Sequence, residues 1–500
     1  MHIVPLGCKH KRKDSQMTDW FLTKYPFKNK PFLHQAAYLQ RFWEHDVSAI
    51  FAEMGTGKSF MLINNAAMLY DKGRIDAILV IAPKGVYRNW YTSEIPKHLP
   101  DHIPKRMACW NPTPKRKEKE ELDYVFSQTD DLKILVMNVE AFSTDKGVQF
   151  AKRFLNATQA MMIVDESTTI KNPTAKRTKS LVKVGRGARY RRIATGSPVT
   201  KSPLDLYSQC EFLSEDCLDA ASYYAFQARY AVTQERHLAS HSFKQIVGYR
   251  RLDELQEKLG QFSFRVTKEE CLDLPDKIYT VRHVELSDEQ AKAYSQMKSM
   301  ALAQLGGGLV STNNALTQLM RLHQIVCGHT RLDDGREVEL PNNRVKELMS
   351  VLEESSGKAI IWANYRHDIE AIKLAIQKVY GMNSVAAYYG ETEAEDRSRI
   401  VEDFQNPDSE LRFFVGQPRT GGYGLTLTAA NLVIYFSNSF DLEVRLQSED
   451  RAHRIGQTSK VTYVDLLTPG TVDEHIVKAL RSKINIASQV LGEEFKQWLI

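Results

Sequence analysis

The sequence predicts an α/β protein of two parallel-sheet lobes with a helical insertion between them, and three observations carry that prediction. Two regions, about 30–200 and 345–480, alternate short β-rich apolar runs with amphipathic helical stretches, the pattern of βαβ units. A mostly helical stretch, about 204–345, separates them. The length of 500 residues asks for several packed units at roughly 100 to 200 residues each.

In the first region the expected strands are Ala49–Ala52, Ile78–Ile81, Ile134–Met137, Met161–Val164 and Arg191–Ala194. In the second they are Ala359–Trp362, Phe413–Val415, Leu432–Phe436 and Val461–Leu466. Ile369, Ile372, Ile376 and Val379 share one helical face directly after the strand ending at Trp362, as a crossover helix requires. Within the middle stretch, Ile278–Val284 reads as extended and Gly306-Gly307-Gly308 as a turn. These features divide the chain into a basic tail (1–25), a first lobe (26–203), the insertion and linker (204–345), a second lobe (346–485) and a C-terminal helix (486–500).

Hydrophobic content of 43% with 26% charged residues excludes a disordered or fibrous chain. No apolar stretch approaches the ~20 residues that span a bilayer, and the N-terminus lacks the apolar core of a secretory signal. Cysteines at 8, 109, 210, 217, 271 and 327 form no close pair, so an intracellular protein with reduced thiols is expected. The net charge of +6 matters only where it clusters. Lys171, Lys176, Arg177, Lys179, Lys183, Arg186, Arg189, Arg191 and Arg192 follow one another with no acid between them. This run is either a phosphate-neutralising patch or a helix face balanced by acids elsewhere in the fold. Lys9–Lys13 is a solvated tail, a nucleic-acid-binding arm or a localisation signal.

After the strand ending at Ala52 comes Glu53-Met54-Gly55-Thr56-Gly57-Lys58-Ser59 and then an apolar helical run from Phe60 to Leu69. Glycines in such a strand–loop–helix let backbone N–H groups surround a phosphate at a helix N-terminus. Lys58 adds a mobile positive charge and Ser59 a hydroxyl for Mg²⁺. Ala52 stands where the strict pattern has its first glycine. A dinucleotide fingerprint would need glycine at Phe60 and leaves the Lys-Ser pair unexplained.

Met161–Val164 runs into Asp165-Glu166, which places two carboxylates at the strand end where open α/β sheets bind ligands. Asp165 is the candidate Mg²⁺ ligand and Glu166 the candidate base for an attacking water; an acidic helix start is the plain alternative. Further on, Gln447–Gln457 puts Arg451 and Arg454 three apart, hence on one face of a helix. They suit the positive charge that phosphoryl transfer needs from outside the phosphate loop, or else pair with Glu449 or Asp450 on an exposed face.

In order along nearly the whole chain, these strings resemble the SNF2 family of superfamily 2 helicase-like ATPases. Leu33-His34-Gln35 resembles its glutamine motif, Gly55–Ser59 motif I, Ile81-Ala82-Pro83-Lys84 with Trp90 motif Ia, and Asp165–Thr168 with Ile170-Lys171-Asn172 its acidic box. Ala194–Pro198 resembles motif III, Arg265–Lys268 with Leu274-Pro275 the RRxK and LP segment, and Leu319–His329 the LRQICNHP stretch. Thr420–Leu427 is similar to motif V and Gln447–Gln457 to motif VI. Thr168 and Thr426 depart from the family's His and Asn.

The resemblance implies two RecA-like lobes with ATP and Mg²⁺ bound where they meet. Gln35, Gly55, Thr56, Gly57, Lys58, Ser59, Gly424 and Gln447 would hold the nucleotide, with Phe27 or Phe32 near the base. Ser59 and Asp165 would hold the metal, and Lys58, Asp165, Glu166, Arg451 and Arg454 would serve catalysis. Pro83, Lys84, Lys171, Asn172, Thr195, Gly196, Thr420 and Gly421 would contact nucleic acid. The implied activity is ATP-dependent translocation on double-stranded DNA by a monomer, with forked or branched DNA as the expected substrate, since little chain remains for a histone reader. The alternatives are a strand-separating DNA or RNA helicase and a non-hydrolysing, ATP-switched DNA-binding protein.

Overall fold

The computed structural model describes residues 25–238, 241–306, 312–331, 335–421 and 425–493. It divides into two compact units. Of the described residues, the first holds those from Tyr25 to Ala231 with Tyr249–Asp273 and Gln489–Gly492, and the second holds Val232–Gly248, Leu274–Ser488 and Glu493.

In chain order the strands are β1 (Val47–Ala52), β2 (Ala77–Ala82), β3 (Lys105–Cys109), β4 (Leu132–Asn138), β5 (Ala160–Asp165) and β6 (Tyr190–Thr195), the hairpin strands β7 (Ala231–Leu238) and β8 (His241–Tyr249), and β9 (Ser263–Val266). All but the hairpin form one sheet in the order β3-β4-β2-β5-β6-β1-β9, and every pairing in it is parallel. Its central strands are covered on both faces. Every residue of β2 and of β4 is buried, so they read as unbroken apolar runs rather than as alternation. All five strands expected here are present. The two that pattern reading passes over are the edges: β3 begins Lys-Arg, and β9 is four residues long.

The second unit contains β10 (Lys277–His283), the short hairpin β11 (His329–Arg331) and β12 (Glu337–Glu339), β13 (Lys358–Trp362), β14 (Val385–Tyr388), β15 (Phe413–Gly416), β16 (Ala430–Tyr435) and β17 (Val461–Leu467). Its sheet runs β10-β17-β16-β13-β15-β14, again all parallel. The extended segment near Ile278 is thus an edge strand of this sheet. The stretch 204–345 is shared out between the units: helix Leu252–Phe262 lies in the first, helices Asp288–Gly306 and Thr312–Cys327 in the second. Gly307 and Gly308 lie outside the described residues, as does the basic run Lys9–Lys13.

Helix Arg366–Tyr380 packs Ile369, Ile372 and Ile376 into the core, but Val379 is 63% exposed. Val379 sits at the margin of that face in the last turn, where Tyr380 packs against the core in its place. Helix Val472–Leu491 runs unbroken through the point where a separate C-terminal helix was expected to start, and residues 494–500 lie outside the description. Among the described residues, cysteines 109, 210, 217, 271 and 327 are free, and no helix is long and apolar enough to cross a membrane.

Candidate nucleotide site

The chemistry-bearing residues of the first unit gather at the C-terminal ends of three neighbouring strands, β5, β6 and β1. The loop after β1 turns into helix Lys58–Asp71 through Gly55 at φ 82° and Gly57 at φ 86°, a left-handed region that side chains disfavour. Gly57 is constrained twice, because a Cβ there would stand 2.1 Å from Gln35 Nε2. Gln35, only 4% exposed, donates from Nε2 to Thr56 O at 3.1 Å and accepts from Phe32 N–H at 3.0 Å. His34 Nε2 lies 2.7 Å from the same Thr56 carbonyl. The glutamine therefore shapes the loop directly. Phe32 is half exposed and stacks on His34 at 5.9 Å, whereas Phe27 packs against Phe60 in the core.

Lys58 donates to Ala52 O at 3.1 Å. Thr56 Oγ1 donates to Glu53 O at 2.8 Å, and Ser59, half buried, lies in the first helical turn. Asp165 ends β5 with Oδ2 accepting from the Trp90 indole N–H at 2.8 Å and Oδ1 from Glu166 N–H at 3.0 Å. Burial pushes its carboxyl above the usual range, opposed by the Trp90 hydrogen bond and the charge of Lys58. Trp90 is aimed from a π-helical turn, Trp90–Glu94, a widening of the kind that recurs at functional sites. Asp165 and Ser59 supply the hard oxygen donors that suit Mg²⁺.

Glu166 adopts φ 49°, a strained conformation for a side-chain-bearing residue. Its Oε2 accepts from Thr195 Oγ1 at 3.2 Å. Thr195 is 1% exposed, and Gly196 lies against Met54 of the phosphate loop. Both are candidate nucleic-acid contacts; the structure places Thr195, paired with Phe51 of β1, on Glu166, and half-buried Gly196 beside the loop.

Three supports had little or no local signal. Arg265 donates to Phe51 O at 2.9 Å and Gly196 O at 3.2 Å, and Lys268 N–H reaches Glu53 Oε2 at 3.0 Å. Gln209 accepts from Ser167 Oγ at 2.7 Å and donates to Pro198 O at 2.8 Å, joining the acidic box to the segment after β6. In the sequence Arg265 and Lys268 carry a signal only through the resemblance, and Gln209 carries none, because it lies 42 residues from Ser167.

Of the remaining expected contacts, Pro83 is buried and accepts two backbone N–H bonds, while Lys84 and Asn172 are exposed. Lys171 donates to Thr200 Oγ1 at 2.7 Å. Acids elsewhere balance much of the basic run: Lys176 pairs with Asp145 at 3.2 Å, Arg189 with Asp46 at 3.0 Å, and Arg186 with Glu215. Arg192 is fully buried on Asn65 and the carbonyls of Asp46 and His45, so it cannot face a phosphate.

In the second unit, helix Leu442–Glu449 ends before both motif arginines. Arg451 and Arg454 therefore do not share a helical face. They lie in the turns that follow, and both donate to Leu425 O, at 3.1 and 3.0 Å. Arg451 also donates to the Gln447 main-chain carbonyl at 2.9 Å, and the Gln447 side-chain amide donates to Glu443 at 3.4 Å. Buried Gln457 closes the segment through Thr428 O, Ala430 O and Ala452 O. Glu449, a suggested partner of these arginines, bonds Arg445, Lys277 and Tyr279. Thr420 is half buried and bonded to Gln417, Gly421 ends the short helix Pro418–Gly421, and Gly424 lies outside the described residues.

A family model described as SNF2-related domain matches residues 33–332, and one described as helicase conserved C-terminal domain matches 342–456. The putative ATP-dependent helicase/translocase YwqA of Bacillus subtilis is 27% identical over 459 residues, which are 88% of this chain and 46% of that protein. Nuclear protein STH1/NPS1 of Saccharomyces cerevisiae is 27% identical over 467 residues, 88% of this chain and 33% of its own. The chain thus spans less than half the length of these two relatives. A solved SWI2/SNF2 ATPase core of Sulfolobus solfataricus, in complex with dsDNA, shares 25% identity over 94% of this chain and 95% of that one, with a TM-score of 0.41. With more than half its length matched by one family model, the chain belongs to the SNF2-related domain family.

Proposed function

We propose that this chain is an ATP-driven motor on double-stranded DNA, hydrolysing ATP to ADP and phosphate and acting on forked or branched DNA as a monomer. One observation carries the reading: the phosphate loop with Lys58, the carboxylate Asp165 and the strained Glu166 converge at the ends of adjacent strands β1, β6 and β5. The N–H groups around Gly55 and Gly57 form the anion cradle. Lys58 exchanges the Ala52 carbonyl for phosphate oxygens at the expense of one neutral hydrogen bond. Asp165 and Ser59 hold Mg²⁺, which when bound neutralises charge on the phosphates. Glu166, oriented by Thr195, takes the proton of the attacking water. Arg451 and Arg454 supply the further positive charge. Lys84, Lys171, Asn172, Thr420 and Gly421 contact the DNA backbone, so binding weakens with salt and ignores sequence.

The test is ATP turnover with and without duplex DNA, on wild type and Glu166→Gln. Wild-type turnover rises with DNA, and the variant loses about 10²- to 10⁴-fold. A wild-type protein without DNA-stimulated turnover sinks the proposal. Displacement of a third strand from a triplex, with a plain tailed duplex left closed, separates translocation from strand separation. Competition among linear, forked and four-way DNA tests the substrate.

A further inference from the structure

We infer that His329, His367 and Asp368, in the second unit and apart from the candidate nucleotide-site residues, form a binding site for one divalent transition-metal ion of the zinc class. His329 opens β11, and its register partner on β12 is Glu339. His367 and Asp368 stand in the first turn of helix Arg366–Tyr380. His329 Nδ1 lies 3.1 Å and His367 Nδ1 3.9 Å from Asp368 Oδ1, and one donor atom from each of the three falls within 4.8 Å of the others. Ligands about 2.0–2.2 Å from a tetrahedral zinc stand about 3.4 Å from one another, so this spacing fits around one ion with little movement.

The polar inventory points the same way. His329 is 2% exposed and Asp368 1%. Neither oxygen of Asp368 takes part in a hydrogen bond of sound geometry, and nor does Nδ1 of either histidine. A carboxylate enclosed among weak or poorly aligned donors, here the two imidazoles and the Cys327 thiol, is costly, and native folds resolve such groups with a partner or an ion. His367 has its other nitrogen, Nε2, 3.2 Å from Glu339 Oε1. A carboxylate there fixes the proton on Nε2 and leaves the Nδ1 lone pair facing Asp368, the outer-shell arrangement typical of metal-bound histidine. The two imidazoles stack at 4.5 Å between centroids, which holds both rings in place.

The rival occupant is a proton. Asp368, together with Glu339, raises the His367 imidazole against burial, so an ion pair competes with a metal for the same lone pair. Burial, with the charge of Asp368 and a hydrogen bond to it added, pushes the neighbouring Cys327 thiol well above its ordinary value. A bound ion would clip the β11–β12 hairpin to the start of helix Arg366–Tyr380.

The experiment is titration of the metal-stripped full chain with Zn²⁺ against a chromophoric chelator, and with Co²⁺ by visible absorption. One equivalent binds per chain, Co²⁺ develops the d–d bands of a low-coordinate site, and saturating Zn²⁺ raises Tm. His367→Ala, at a half-buried position that leaves the fold intact by circular dichroism, abolishes the bands and the Tm shift. Glu339→Gln weakens binding about 10- to 100-fold. Wild type that binds no stoichiometric metal overturns the inference in favour of the proton. Equal binding in His367→Ala also overturns it, by assigning the metal to the scattered thiols.

Discussion

In the second unit, Arg445 meets charge with charge: its guanidinium bonds Glu449 Oε1 at 2.9 Å and both oxygens of Asp465 at 2.5 and 3.0 Å, 3.4 Å over the Tyr435 ring. In the first unit, Lys58 meets a carbonyl and Asp165 an indole N–H. The difference separates structural ionic groups from groups positioned to react. Breaking a buried pair by removing one partner costs about 3–5 kcal/mol, so Arg445 cannot serve a ligand. A neutral hydrogen bond contributes only about 0.5–1.5 kcal/mol, so Lys58 can leave its carbonyl for a phosphate. Arg192 marks the limit of the rule, since neutral partners alone do not make a site when the side chain is sealed in the core.

The largest effect expected falls on Arg451 and Arg454, which both donate to the Leu425 carbonyl and are proposed to supply positive charge to the phosphates. Arg454→Ala lowers DNA-stimulated kcat by about 10³- to 10⁵-fold, while Tm stays near that of wild type. Arg451→Ala behaves alike in turnover. A variant that keeps its turnover but melts early would move the pair into the structural class and remove the proposed mechanism's outer cation. Steady-state ATPase and differential scanning fluorimetry on the same preparations decide it.

The next effect belongs to another buried pair of the second unit. Arg344 is fully enclosed, donating to Phe436 O at 2.6 Å, Thr468 Oγ1 at 2.9 Å and Asp473 Oδ2. Burial alone would raise the Asp473 carboxyl, yet Arg344, with His323, holds it well below the usual carboxylate range. A depressed carboxyl stabilises the fold above the ordinary value near 3.9 and loses that contribution as pH falls towards the folded value. Asp473→Asn strands the guanidinium and costs about 3–5 kcal/mol in urea unfolding near neutral pH. It also flattens the acid limb below about pH 4. A loss under 1 kcal/mol would show that the carbonyls alone hold Arg344.

What could be read from the sequence follows the same division. The phosphate loop is local, so its glycines, Lys58 and the helix behind it were legible from spacing. So were the inner strands, whose apolar runs owe nothing to distant partners. The supports were not: Trp90 meets Asp165 across 75 residues, and Arg344 meets Asp473 across 129. Spacing alone also misplaced Arg451 and Arg454, because three residues apart means one face only while the helix continues, and this one stops at Glu449. The placement of Thr195 beside Glu166 and of Gly196 beside the phosphate loop was not legible for a related reason. Which surface they face depends on the order of β5, β6 and β1, and that order cannot be read along one chain.

The smallest effect is the sharpest, because one substitution should act with opposite sign in the two units. Burial raises the Asp165 carboxyl, with Trp90 and Lys58 only partly offsetting it. Between the ordinary value and the raised one, the folded protein binds a proton that the unfolded chain has released. Stability therefore falls as pH rises through that window and stays lower above it. Asp165→Asn removes this penalty, so the nucleotide-free variant melts at or slightly above the wild-type Tm near pH 7, while ATP turnover is lost. Asp473→Asn, chemically the same change, lowers Tm and leaves the turnover of the folded fraction intact. Melting curves from pH 4 to 8, with turnover measured alongside, test both signs at once. If Asp165→Asn destabilised as Asp473→Asn does, the first unit's carboxylate would be structural, and the contrast between reacting and paired charge would fail where the proposed chemistry most needs it.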